Sequence, residues 1–366
     1  MISDIYKEEL LNKIKNIDKL SKNNFKFESL VQEIINSKNE KAILELIKNL
    51  SNLKKENTIL SIQEKIVDIT EVLYKYLGSN KIDDIFNELK ESTNISLEES
   101  MKKLNELIGL KSVKEQVNDL IAYNQIQQLR ENNGLKKSTK TLHIAFLGNP
   151  GTAKTTVARI IGRMYKSIGL LSKGHFIEVS RTDLIAEYQG QTAIKVKKLI
   201  ERAKGGVLFI DEAYSITENS NSDSYGRECL TELTKALEDY RDDLVVIVAG
   251  YPNLMEQFFD SNPGLKSRFN TFIYFDDYSI EELIKIFVYI CEKNDYKVDD
   301  ELYIKVKKLL NSKLNEKDPN FSNARFVRNL FDIITVQQAK RLVKLNSKLD
   351  KKELMTLKIE DAMTSY

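Results

Sequence analysis

Four side chains in this chain have the types and spacing to bind and break a phosphate ester. Lys154 and Thr155 close the run Gly148-Asn149-Pro150-Gly151-Thr152-Ala153-Lys154-Thr155-Thr156, and Asp211 and Glu212 close the apolar run Gly206-Val207-Leu208-Phe209-Ile210. A glycine-bearing loop that opens a helix aims backbone N–H groups and the helix dipole at phosphate oxygens. A lysine at its end neutralises the β/γ oxygens, and the hydroxyl beside it holds Mg²⁺. Residues 149–156 therefore form the expected phosphate cradle, with Lys154 on the phosphates and Thr155 on the metal. An apolar run ending in two acids places one carboxylate, Asp211, towards Mg²⁺ and the next, Glu212, towards an attacking water. Alone, such a run would equally be a buried strand ending at a solvated loop. Downstream of the phosphate loop, the catalytic reading takes precedence. The general pattern G-x-x-x-x-G-K-[ST] has glycine where this chain has Ala153. At negative φ in a first helical turn an alanine methyl is tolerated, and that conformation is expected here.

These residues need a rigid support, and the chain supplies it as alternation. Apolar runs at 142–147, 175–179, 207–210, 244–249 and 272–275 are separated by amphipathic stretches. Continuous apolar runs with helices between them imply a parallel sheet covered on both faces, with ligands at the carboxyl ends of its strands. After Ser279 the pattern is helical, starting with the capping box Ser279-Ile280-Glu281-Glu282 and continuing through 302–314, 324–345 and 351–363. These segments are expected to form a small lid beside the nucleotide.

The front of the chain differs. Gly78 is the only glycine before Gly109, all four prolines come later, and arginine is absent until Arg130. Ile59, Ile62, Ile66, Ile69, Val72 and Tyr76 recur at helical spacing before Gly78, and shorter stripes (Leu30, Val31, Ile34, Ile35; Ile43, Leu44, Ile47, Leu50) suggest helical hairpins. Ser96-Leu97-Glu98-Glu99 reads as a fresh helix start. The resulting division is a helical domain over 1–97, an α/β nucleotide-binding domain over 98–277 and a helical lid over 278–366.

Composition narrows the classes. The 366 residues are 42% hydrophobic and 30% charged, enough for two or three domains. With 56 basic against 54 acidic residues, net charge is +2, which weighs against nucleic acid or anionic lipid as partners. The two cysteines, Cys229 and Cys291, lack the spacing of a zinc site or disulfide scaffold. With no signal-like start and no bilayer-length apolar run, a cytoplasmic protein is expected, without membrane insertion. His143 and His175 lie in strands and are expected to be structural.

The stretch from Leu104 to Tyr366 resembles an AAA+ ATPase module, most closely the CbbX and stage V sporulation protein K branch. The strings that carry this are Ile108-Gly109-Leu110, the phosphate loop, Asp183-Leu184 through Tyr188-Gln189-Gly190-Gln191-Thr192, Asp211-Glu212-Ala213-Tyr214-Ser215, Ala249-Gly250-Tyr251, Asn262-Pro263-Gly264-Leu265-Lys266-Ser267-Arg268-Phe269 and Asn323-Ala324-Arg325. The resemblance implies an α/β AAA+ P-loop module with a five-stranded parallel sheet, a C-terminal helical lid and an all-α N-terminal domain. It implies Mg²⁺-dependent hydrolysis of ATP in a ring homo-oligomer, a hexamer, acting on a client protein.

Individual roles follow from the same resemblance. Ile108, Gly109 and Leu110 would wrap the adenine. Arg268 resembles the arginine finger that a neighbouring subunit extends, a group worth about 10³–10⁵ in rate in related NTPases. Arg325 resembles the lid arginine that contacts phosphate in cis, with Arg328 one turn on as a substitute. Asn253 is assigned as the polar sensor past the fourth strand. Tyr188, Gln189 and Gly190 resemble a pore loop, in which an aromatic grips extended polypeptide and glycine supplies mobility; a tyrosine packed on its own domain is the alternative. The polar stretch 217–224 would be a second loop near the channel.

Two other functions fit parts of the pattern. A nucleotide-gated assembly scaffold with slow hydrolysis is suggested by Ala153. A clamp-loader-like DNA ATPase is suggested by the Ser267-Arg268 context and opposed by the balanced charge.

Overall fold

A computed structural model describes residues 2–20, 27–37, 42–43, 45–47, 49–50, 53, 60–77, 96–136, 140–186, 188, 190–217, 224–315, 321–344 and 350–362. The chain forms two compact units, Met1–Thr93 and Asn94–Tyr366. In the first, α1 (Ile2–Leu20) packs against α2 (Phe27–Ser37) and α3 (Leu60–Leu77). The stripe read from sequence is the buried one: Ile62, Ile66, Ile69 and Val72 share a core with Leu10, Ile14, Phe27 and Ile34. Ile59, Leu44 and Gly78 lie outside the described residues.

The second unit opens with α4 (Leu97–Glu106), where the Ser96 hydroxyl accepts from the Glu99 amide, and α5 (Lys111–Asn132). The chain then alternates: β1 (Ile144–Gly148), α6 (Lys154–Ser167), β2 (Phe176–Val179), α7 (Arg181–Leu184), α8 (Thr192–Ala203), β3 (Val207–Ile210), a 3-10 turn (Ala213–Ile216) and α9 (Ser224–Asp239). There follow β4 (Val245–Gly250), α10 (Pro252–Asp260), α11 (Pro263–Arg268) and β5 (Thr271–Phe275). All five strands are parallel, in the order β2-β3-β4-β1-β5. Because side chains alternate along a strand, each continuous apolar run feeds two cores. Ile144, Phe146, Val207, Phe209, Val245 and Ile247 join one cluster with Val157 and Ile161 of α6. Ala145, Leu147, Leu208, Ile210, Val246 and Val248 join the other with Leu199 and Leu230 of α8 and α9. Both faces are thereby dry, which leaves the strand ends as the part of the sheet open to a ligand.

The lid comprises α12 (Ile280–Lys293), β6 (Lys297–Val298), α13 (Asp300–Asn315), α14 (Asn323–Val343), α15 (Lys351–Met355), β7 (Thr356–Leu357) and α16 (Ile359–Ala362). The capping box at Ser279 and Glu282 is formed in both directions. The all-helical expectation needs correction, since helix 351–363 is interrupted at Thr356. There the backbone turns extended and pairs in parallel with β6, Val298 opposite Leu357. Two tertiary contacts hold this break: Gln338 Nε2 donates to the carbonyls of Leu354 and Thr356, and Arg341 grips the buried Asp361 through Nε at 2.7 Å and Nη2 at 2.9 Å.

Candidate nucleotide site

The carboxyl ends of β1, β3 and β4 and the first turns of α14 surround one cavity. Pro150, Gly151, Ala153, Lys154, Thr155 and Thr156 form its floor, Asp211 and Glu212 one wall, Gly250 and Tyr251 another, and Ala324, Arg325 and Arg328 its roof. Folding thus unites the phosphate loop, the paired acids and the lid arginines, which are spread over about half the chain.

The loop leaves β1 at Gly148 and enters α6 at Lys154. Thr152 braces it by donating its hydroxyl proton to the Asn149 carbonyl at 2.8 Å. Lys154 Nζ donates to the carbonyls of Gly148 at 2.9 Å and Asn149 at 2.8 Å. Burial lowers the Lys154 pKa, partly opposed by the Asp211 carboxylate. A desolvated ammonium held by neutral carbonyls has more to gain from anionic oxygens arriving nearby.

Ala153 departs from expectation. It lies at φ +70°, in the left-handed region, just ahead of the helix and not in its first turn. The loop must turn successive amides inward, which takes left-handed geometry at Gly151 and again at Ala153. For alanine that geometry carries strain of roughly 1 kcal/mol. Five non-glycine described residues have positive φ: Leu110, Ala153, Glu212, Asp295 and Asn323. Ala153 and Glu212 line the cavity and Asn323 lies against the phosphate loop, where local strain is expected to concentrate.

Thr155 and Asp211 face the same cavity and offer a hydroxyl and a carboxylate. Oxygen donors of this kind suit Mg²⁺, which keeps several waters and takes the rest of its shell from phosphate. Among the described residues there is no cluster of three or more His, Cys, Asp or Glu that could hold a metal ion. Ile108, Gly109 and Leu110 form the link between α4 and α5, with Gly109 at φ +66° and Leu110 at φ +57°. Lys114 Nζ fastens that link by donating to the carbonyls of Asn105 and Leu107. A second cavity adjoins it, lined by Leu110, Val113, Asp276, Asp277, Tyr278 and Glu282.

Asn253 does not reach the site: it is exposed on the first turn of α10 and does not line the cavity. Gly250 and Tyr251 come from the end of β4 instead. Tyr251 belongs to the Ala249-Gly250-Tyr251 run, where no local feature distinguishes it from the polar residue two positions on. Arg268 is also outside its own chain's cavity. It sits at the end of α11, held by Glu238 at 3.5 Å and the Gly264 carbonyl at 3.1 Å. Tyr188 is 66% exposed, so it is not packed on its own domain, and Gly190 at φ +79° has open space around its Cα. Gln189 and residues 218–223 lie outside the described residues. His143 is buried with both ring nitrogens engaged, Nε2 with the Leu237 carbonyl and Nδ1 with the Val246 amide; His175 is buried as well.

Comparison with known proteins agrees with this geometry. Residues 144–277 match the "ATPase family associated with various cellular activities (AAA)", and residues 279–366 match the "AAA lid domain". The chain is 42% identical to Protein CbbX of Cereibacter sphaeroides over 261 residues, covering 71% of this chain and 84% of that one. It is 40% identical to stage V sporulation protein K of Bacillus subtilis (72% and 82% covered). It is also 40% identical to the chloroplastic ribulose bisphosphate carboxylase/oxygenase activase of Cyanidioschyzon merolae (71% and 88% covered). Among solved structures, the FIGL-1 AAA domain in complex with ADP superposes with a TM-score of 0.51 at 17% identity, covering 70% of this chain and 80% of that one, a likeness of fold. Two adjoining family matches and relatives of this identity along most of their own length lead to one conclusion: the chain belongs to the AAA ATPase family, in the CbbX and stage V sporulation protein K branch, and is an ATPase.

Proposed function

We propose that this ATPase works as a ring of identical subunits, a hexamer, that remodels a client protein in the cytoplasm, each nucleotide lying between one subunit's phosphate loop and its neighbour's Arg268. The observation that carries this is the placement of Arg268. The cavity has a lysine, a hydroxyl, two acids and two lid arginines, while the finger residue stands elsewhere on its own chain. A second copy would complete the site.

In this reading Lys154 leaves its loop carbonyls for the β/γ oxygens, and Glu212 orients the attacking water. Thr155 and Asp211 would hold Mg²⁺, which when bound neutralises phosphate charge. Arg268 of the neighbour spreads positive charge over the transition state. Arg325 contacts phosphate from the lid, and residues 108–110 hold the adenine. The exposed Tyr188, two residues from the left-handed and uncrowded Gly190, supports a gripping loop. One relative's name, an activase of a carboxylase, supports a protein client over DNA. In this scheme the domain 1–97 selects the client, 98–277 is the motor and 278–366 the lid.

The test is ATP turnover per subunit against protein concentration, for wild type, Glu212→Gln, Arg268→Ala, and Arg268→Ala mixed with Lys154→Ala. Turnover rising steeply with concentration, lost in each variant and partly restored in the mixture, is the expected result. Turnover independent of concentration would refute the trans assignment. A second reading, a slow assembly scaffold, is favoured by the strained Ala153, and would be supported by ATP binding with negligible turnover at every concentration.

A further inference from the structure

The segment joining sheet to lid carries Asp277, whose carboxylate accepts hydrogen bonds from both the phosphate loop and the lid. Asn149 of the phosphate loop donates Nδ2 to Oδ1 at 3.0 Å and Oδ2 at 2.9 Å. Asn323, the first residue of α14, donates Nδ2 to the same Oδ1 at 2.7 Å and lies 3.3 Å from the Pro150 carbonyl. Its own Oδ1 accepts the Tyr278 amide at 3.0 Å. Asn323 is fully buried and left-handed at φ +48°, a conformation that asparagine tolerates better than most residues. The next residue continues the contact, the Ala324 amide donating to the Gly151 carbonyl at 3.2 Å. Gly151 has no room for a side chain, because a Cβ would collide with the Ser322 carbonyl and lie 2.9 Å from the Arg325 nitrogen. The first turn of the lid helix is thus seated directly on the phosphate loop, and Arg325 directly follows the Ala324 contact.

We infer that Asp277 is a positioning residue, which ties lid to phosphate loop through Asn149 and Asn323 so that Arg325 meets the terminal phosphate and the site separates triphosphate from diphosphate. The inference rests on the proposed phosphate contact of Arg325. Asp277 itself is exposed, so its worth lies in direction: one carboxylate sets two amides whose residues belong to the loop and the lid. With it gone, α14 keeps its packing yet loses its angular reference to the loop. A guanidinium on a long side chain needs that reference to make paired bonds to a planar set of oxygens.

The test is calorimetric binding of ADP and of the non-hydrolysable adenylyl imidodiphosphate to the full chain. Asp277→Ala should weaken adenylyl imidodiphosphate about tenfold, the loss of one charge-assisted contact, and leave ADP within about twofold. Arg325→Ala should show the same pattern, and the double variant no further loss, because the two substitutions remove one interaction. Asp277→Asn, which keeps one oxygen for Asn323, should recover most of the discrimination. Asn323→Gly, which accepts the left-handed backbone and lacks the amide, gives the same answer from the lid side. Equal losses for the two nucleotides, no loss for either, or additive losses with Arg325→Ala would overturn the inference. Wild-type protein binding both nucleotides while Arg325→Ala changes neither would instead overturn the role of Arg325 on which it rests.

Discussion

Arg181 donates through Nη1 to the carbonyl of Ser215, so the short helix ahead of Tyr188 is tied to the 3-10 turn that follows Glu212. Further bonds close the base of the Tyr188 loop: Lys195 Nζ donates to the carbonyls of Thr182 and Ile185, and the Ala186 amide donates to the Thr192 hydroxyl. A shift of the strained Glu212 segment therefore has a direct route to the loop. Arg181→Ala should leave the fold intact and raise hydrogen exchange at Ile185 and Ala186 by about tenfold, the worth of one bond to a charged donor. Unchanged exchange would show that the other bonds suffice.

Tyr188 offers a large apolar side chain to solvent with no packing role to lose. Tyr188→Ala should alter the unfolding midpoint by less than about 0.5 kcal/mol equivalent and leave ATP turnover near wild type. Remodelling of an identified client should be lost, and normal remodelling by this variant would remove Tyr188 from the gripping role.

Ala153 carries a methyl at φ +70°. Ala153→Gly removes that strain, offset in part by the greater freedom of glycine in the unfolded chain, for a net gain of about 0.5–1 kcal/mol. Differential scanning calorimetry should show the midpoint of the nucleotide-binding unit rising by about 2 °C. A fall would mean that the half-buried methyl contributes more by packing than it costs in strain.

His143 is kept neutral, its pKa lowered from 6.5 to about 4 by burial, with the Leu237 carbonyl opposing the shift. Since the unfolded chain takes up the proton first, this contribution to stability is full above about pH 6.5. It is lost as pH falls towards 4, up to roughly 3 kcal/mol in all. His143→Gln can keep both hydrogen bonds without titrating. Urea midpoints measured from pH 7 to pH 4 should fall less steeply for the variant, and parallel curves would exclude His143 as a source of acid lability.

Asp361 is 1% exposed and held bidentately by Arg341. Removing one member of a buried pair leaves the other uncompensated, at a cost of about 3–5 kcal/mol. Asp361→Ala should therefore loosen the α14 to α16 end of the lid, seen as early proteolysis near β7, while Arg341→Met with Asp361→Leu should recover much of the loss. Equal damage from single and double variants would argue against the pair as the cause.

Local patterns in this chain determined much of its reading. The phosphate loop, the two acids after an apolar run, five buried strands and the capped start of the lid could all be read from neighbouring residues, because strand burial, helix capping and loop turns are set by side chains a few positions apart. Other features needed the folded chain. The strand order β2-β3-β4-β1-β5, the break of the last helix by β6 and the entry of Tyr251 in place of Asn253 depend on what packs beside each element. The left-handed Ala153 depends on how tightly the loop must curl between β1 and α6. Arg268 stands away from its own cavity, and Asp277 meets Asn323 across 46 positions of sequence. No periodicity encodes a meeting between residues that far apart; the packing of the lid helix on the phosphate loop does.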